Sequence, residues 1–140
     1  MLLPDSIIGL LRDDKTVKTL ATVAHDGTTS LTLIKALKAP EPNVLVLAFT
    51  DAKRLDQELV HHMEAGSLVS ILCSLAKGDR EIAFQVACSV REFQTAGPLY
   101  DKFLDELRAR SVDLEGVWVL DPVDVIDRST RGRDGLETQS

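Results

Sequence analysis

Cysteine is scarce in this chain: Cys73 and Cys88 are the only two in 140 residues, each inside an apolar stretch and with no C-x-x-C pair. That spacing offers neither a disulfide framework nor a zinc site, and both side chains read as small buried hydrophobes. Long apolar runs are missing as well. No window approaches the roughly 18 apolar residues of a bilayer-spanning helix, and the Met1–Ser6 start lacks the cationic region and apolar run of a secretory signal. The default expectation is therefore a cytoplasmic protein that does not enter membranes. There is no basic surplus: a net charge of -6 and a pI near 5.0 argue against a general affinity for nucleic acid. A nucleophile–base pair, a metal-ligand spacing and a glycine-rich phosphate loop are all absent. Any redox chemistry would come from a bound cofactor, with the protein supplying position and electrostatics. His61 and His62 are adjacent, so on a helix they point about 100° apart and cannot share a metal. They read as surface residues.

What is present suits one soluble domain, since 44% hydrophobic and 27% charged residues over this length can build a single core. Pro4-Asp5-Ser6 starts a short helix over 5–13. Thr16 to Ala24 reads as a strand, and Asp26-Gly27 as a hairpin turn with His25 beside it. The next strand is expected from about Thr29 to Lys38, with Leu31, Leu33, Lys35 and Leu37 on one face and Ser30, Thr32, Ile34 and Ala36 on the other. A loop at Pro40–Asn43 leads to Val44–Phe49, apolar enough to be covered on both sides. A helix follows from Asp51, a plausible N-cap, to Ala65, with Leu55, Leu59 and His62 or Met63 on one face and Gly66 as its C′ residue. Strands over Ser67–Leu75 and Glu81–Phe93, a helix from Gly97-Pro98 and a strand over Gly116–Ile126 complete the order. Trp118 is expected to be buried in that last strand. Residues 1–127 form the expected domain, and Arg128 to Ser140 a disordered polar tail. About six strands and three helices, joined mainly by hairpins, indicate an α+β fold with an antiparallel sheet or small barrel.

One stretch stands out, from Thr32 to Leu59. Lys53 and Arg54 fall in the first turn of a helix, where unpaired N–H groups and the positive end of the macrodipole favour acids over cations. Two cations there suit a bound anion, with phosphate the obvious candidate. The plain alternative is a solvated helix start in which the pair meets Asp56, Gln57 or Glu58. Lys35 lies in a row of leucines, where it either meets the same anion or snorkels past its neighbours.

The order of elements and several segments resemble the FMN-binding split-barrel family, which includes pyridoxamine 5'-phosphate oxidase and small bacterial FMN-binding proteins. The resemblance covers roughly residues 5 to 127. It is carried by Thr32-Leu33-Ile34-Lys35, by Phe49-Thr50 followed by Lys53-Arg54 and Gln57-Glu58-Leu59, by Phe84-Gln85-Val86, and by Val117 to Val123. It implies an antiparallel split β-barrel with flanking short helices and a homodimer with FMN at the interface. Lys35, Thr50, Lys53 and Arg54 would hold the phosphate, and Thr32, Leu33 and Gln85 would lie near the ring. The implied role is a small oxidoreductase or electron carrier, fed by a reduced nicotinamide or a partner protein. Alternatives within the fold are a ligand-binding protein that has lost FMN, one that holds haem or a deazaflavin, and a purely structural dimer. The chain departs from the family pattern at Asp51-Ala52, where a serine is usual, and near Ser30, where an arginine is usual. The arginines after Asp127 lie in the expected tail without a nearby histidine, so the arginine and histidine pair of the vitamin B6 enzyme is not matched.

Overall fold

The computed structural model describes residues 1–24, 26–34, 36–49, 53–108 and 116–130. Pro4 opens helix α1 (Asp5–Arg12), its carbonyl accepting the amides of Ile7 and Ile8. Asp5 sits at the positive end of the helix dipole and Arg12 at the negative end, while Ile7, Ile8 and Leu11 form the buried stripe. Strands β1 (Val17–Val23) and β2 (Thr29–Leu33) make the expected hairpin. In its turn Asp26 accepts the Thr28 amide and Gly27 takes a φ of 86°, a conformation that favours glycine. His25 lies outside the described residues.

The single strand expected over 29–38 is two strands. β2 ends at Leu33, the Ile34 amide bonds to the Lys18 carbonyl, and the Ala36 carbonyl accepts the Ala48 amide. Strand β3 (Leu37–Glu41) then pairs with β4 (Val44–Phe49) instead of β1. Leu31, Leu33 and Leu37 keep one alternation across this change of partner, with only Lys35 interrupting the row, so the pattern reads as one strand. The consequence is large: Leu33 is 68% exposed, whereas Leu37 is only 7% exposed. The expected Pro40–Asn43 loop shrinks to a turn at Pro42-Asn43. Pro40 stays in β3 because β3 is the sheet edge and its pairing shifts register there, so no ladder N–H is required.

Helix α2 (Lys53–Ala65) ends at Gly66, whose φ is 67°. The Gly66 amide bonds to the Met63 carbonyl and the Ser67 amide to the His62 carbonyl, which is the Schellman closure expected of a C′ glycine. Strands β5 (Val69–Lys77) and β6 (Arg80–Gln94), helix α3 (Pro98–Arg108) and strand β7 (Gly116–Asp127) follow. The strands form one antiparallel sheet in the order β2-β1-β5-β6-β7-β4-β3. The fold is α+β, as its pattern of elements indicates.

The sheet is covered unequally, and that positions the site. On its inner face Leu20, Ile71, Val86, Leu45, Leu47, Trp118 and Leu120 build the main core under α1 and α2. On the opposite face of β4 and β7, Val44, Val46, Val117 and Val119 pack beneath Phe103 of α3. Val44 to Ala48 are accordingly buried on both sides. No helix covers the same outer face of β1, β2 and β5 among the described residues, and Val17, Val23, Leu31, Leu33 and Leu72 are exposed there.

The ladder also runs past the expected domain boundary. The Arg128 amide bonds to the Ala83 carbonyl, the Ala83 amide to the Ser129 hydroxyl, and Thr130 bridges Glu81. Arg128 to Thr130 thus belong to the sheet, because β6 still offers unpaired backbone groups beyond Phe84. Residues 131–140 lie outside the described residues.

Candidate functional site

The site predicted from sequence centres on the corner between β2 and the start of α2. Lys35, Thr50 and the N-cap candidate Asp51 lie outside the described residues. Lys53 stands at the start of the described part of α2, consistent with the expected first-turn position. Arg54 is the best-defined member: its Nη2 donates to Ser30 Oγ at 3.2 Å and its Nε lies 3.6 Å from Glu58 Oε1. Its side chain is 76% exposed, so most of the guanidinium faces solvent at the sheet edge. The pairing with Glu58 is one that the helix start allowed without any ligand.

Glu58, which the sequence offered only as a pairing partner for the helix-start cations and as part of a family-like segment, organises this corner. It is 6% exposed, with Oε2 accepting from Thr22 Oγ1 at 2.5 Å and Oε1 from Ser30 Oγ at 3.0 Å. Thr22 and Ser30 are cross-strand partners, so both hydroxyls reach α2 from adjacent strands. The available signal is helical spacing: Leu55, Glu58, Leu59 and His62 make one i, i+3, i+4, i+7 stripe, and all four are buried.

His62 was expected at the surface and is instead 2% exposed. It completes the buried stripe on which α2 meets β1. Its Nε2 accepts the Val23 amide at 2.9 Å, so in the neutral ring Nδ1 carries the proton and donates to Ser67 Oγ at 2.8 Å. Burial pushes its pKa below the ordinary 6.5, neighbouring His61 adds to the depression, and the Ser67 contact and Glu58 oppose it. Folding therefore keeps the ring neutral while the unfolded chain can protonate it. Stability is full above about pH 6.5 and falls as pH drops from there through the depressed folded value. Urea unfolding of the wild type should show an earlier midpoint at pH 5.5 than at pH 7.5, and His62→Gln should flatten much of that difference. An unchanged pH dependence in the variant would assign the loss to other groups.

The ring-contact candidates divide between two faces. Leu33 and Gln85 share the outer face, in a continuous row Leu33–Thr19–Leu72–Gln85 across β2, β1, β5 and β6. Three strand spacings separate the row's ends, about 14 Å. Gln85 is already engaged, its amide donating to Ser70 Oγ at 3.1 Å and accepting from Arg128 Nε at 3.2 Å. Thr32 lies opposite Leu20, which is fully buried, so its side chain is on the α2 side of β2 and away from Leu33. Behind the corner, Trp118 is buried as expected, and its indole N–H donates to Asp56 Oδ1 at 2.8 Å, tying α2 to β7.

The two cysteines are free and buried, as expected. Burial pushes the Cys88 thiol up to about 12 and raises that of Cys73 as well, so neither is a thiolate at neutral pH.

No family model matches the sequence, and no curated protein matches it. Solved structures do. An FMN-binding protein from Syntrophomonas wolfei superposes with a TM-score of 0.70 at 15% identity, over 88% of this chain and 86% of that one. This chain is a split barrel. An F420 reductase shares the split-barrel fold at a TM-score of 0.60 and 21% identity, over 89% of this chain and 98% of that one. So does HutZ, the haem storage protein of Vibrio cholerae, at 0.61 and 14%, over 94% and 98%. Likeness at these identities speaks for the split barrel itself; what it binds has to be argued from its residues. The residues offer groups for a flavin phosphate and ring on the two sides of the edge strand β2: an exposed guanidinium at the helix start on its α2 side, and exposed leucines on its other side. His62 is not open to a haem iron, since both its ring nitrogens are spent within the fold. Among the described residues, no helix is long and apolar enough to cross a membrane.

Proposed function

We propose that this split barrel is a homodimeric flavoprotein, holding FMN noncovalently where β2 meets α2 and serving as a small oxidoreductase or electron carrier. The observation that carries this reading is what the edge strand β2 presents at that corner: an exposed, hydrogen-bonded Arg54 on its α2 side, and the exposed Leu31 and Leu33 on its uncovered side. The guanidinium, with Lys35, Lys53 and the Thr50 hydroxyl, would meet a phosphate, and the leucine face would shelter a flat ring from water. Bound FMN would supply hydride and electron transfer, and the protein position and charge.

A second copy on the outer face supplies the partner. The exposed valines and leucines lie on one uncovered face of the sheet, and a two-fold pairing over it would place the Gln85 side of one sheet over the β2 corner of the other. That arrangement answers the separation between Leu33 and Gln85, which one ring cannot bridge within one protomer. Free thiols at Cys73 and Cys88 suit work in the reducing cytoplasm. The test is titration of the purified protein with FMN, followed by flavin fluorescence and absorbance near 450 nm. The expected result is saturable binding of one FMN per protomer, with an order of magnitude or more lost in Lys53→Ala. FMN that stays free at every protein concentration would rule the reading out.

A further inference from the structure

We propose that Glu58 competes with the ligand's phosphate for Arg54, so that this chain holds flavin as an exchangeable ligand and not as a resident one. The inference rests on the flavin reading above and concerns how tightly that site closes. Glu58 is the only buried acid among the described residues, with its side chain 7% exposed. A carboxylate so placed needs donors and a cation. Thr22 and Ser30 provide hydroxyl donors, one to each oxygen, and Arg54 provides the cation at 3.6 Å.

Arg54 therefore has two claims on it. Its Nη2 is held on Ser30 and its Nε faces Glu58, while the rest of the guanidinium is free toward solvent. The other acid at the helix start, Asp56, is turned away to the indole of Trp118. Among the described residues, Glu58 is thus the acid whose charge bears on the anion corner. A phosphate arriving there either shares Arg54 with a buried carboxylate or draws it away from one. In both cases a fixed negative charge stays within a side chain's length of the ligand's own, in surroundings that screen it less than water does. Repulsion of that kind weakens binding by roughly tenfold or more.

The experiment compares wild type, Glu58→Gln and Ser30→Arg for FMN affinity by fluorescence quenching and for FMN retention through gel filtration. Glutamine keeps the shape and can still bond both hydroxyls, so only the charge is removed. Arginine at position 30 offers Glu58 a second cation from a half-buried strand position and decides the matter should the glutamine variant fail to fold. The expected result is a wild type that binds FMN in titration but sheds it on the column, with both variants binding about tenfold tighter and retaining it. Wild type that retains FMN through the column, or variants that bind no tighter, would overturn the competition while leaving the flavin reading intact. FMN binding by none of the three would overturn both.

Discussion

Replacing Leu31 and Leu33 together by glutamate is expected to make the protein a monomer and to abolish its FMN binding, while leaving the fold in place. Both side chains point away from the core, at 71% and 68% exposure, so the single protomer loses little packing when they change. In a two-fold pair each substitution counts twice, and four leucines would be lost from the interface. Burying a leucine is worth about 1.5–3 kcal/mol, so the loss is on the order of 6–12 kcal/mol before the cost of desolvating four carboxylates is added. Few dimers survive that. Analytical ultracentrifugation should show wild type at twice the protomer mass and the variant at one, with circular dichroism and melting temperature nearly unchanged. A variant that stays dimeric would place the interface elsewhere, and a wild type that is monomeric would remove the dimer from the account.

Trp118→Ala should have the largest effect on stability. The indole is 2% exposed, lies with its centroid 5.0 Å from that of Phe93, and donates to Asp56 across the α2–β7 contact. Its removal leaves a cavity in the main core and an acid without its donor, for a loss of about 3–5 kcal/mol. In a chain of this length that lowers the melting temperature by on the order of 10 °C or more. Trp118→Phe fills much of the volume but cannot donate to Asp56, so it should fall in between. If Trp118→Phe melts like the wild type, the tether to α2 carries nothing beyond packing.

These effects show which parts of the molecule could be read in the residues alone. Local rules were sufficient wherever one element answers to its own sequence. The α1 start at Pro4, the Gly66 closure of α2, the Asp26-Gly27 turn and the doubly buried Val44–Ala48 strand are all of that kind. Changes of partner were not legible. Leu33 and Leu37 obey one alternation, yet they belong to strands at opposite edges of the sheet, because the change of pairing partner between them is a tertiary fact that local periodicity does not carry. The corner was half legible. Cations at a helix start drew attention to Lys53 and Arg54, whereas Glu58 and His62 looked like solvent-facing residues. Their burial depends on Thr22, Ser30, Val23 and Ser67 arriving from elsewhere in the chain, which is a tertiary fact. The exposed leucines were read as one face of a strand, and the fold adds that nothing in the described chain lies over them.

The measurement that bears most directly on the central claim is the FMN titration itself, run on the wild-type protein with its mass followed in parallel by light scattering. A dimer that quenches flavin fluorescence saturably at one FMN per protomer, with a shifted band near 450 nm, is the predicted result. A protein that leaves FMN fluorescence and absorbance untouched at concentrations where it is dimeric would contradict the account, because the exposed guanidinium and the apolar face would then serve another ligand.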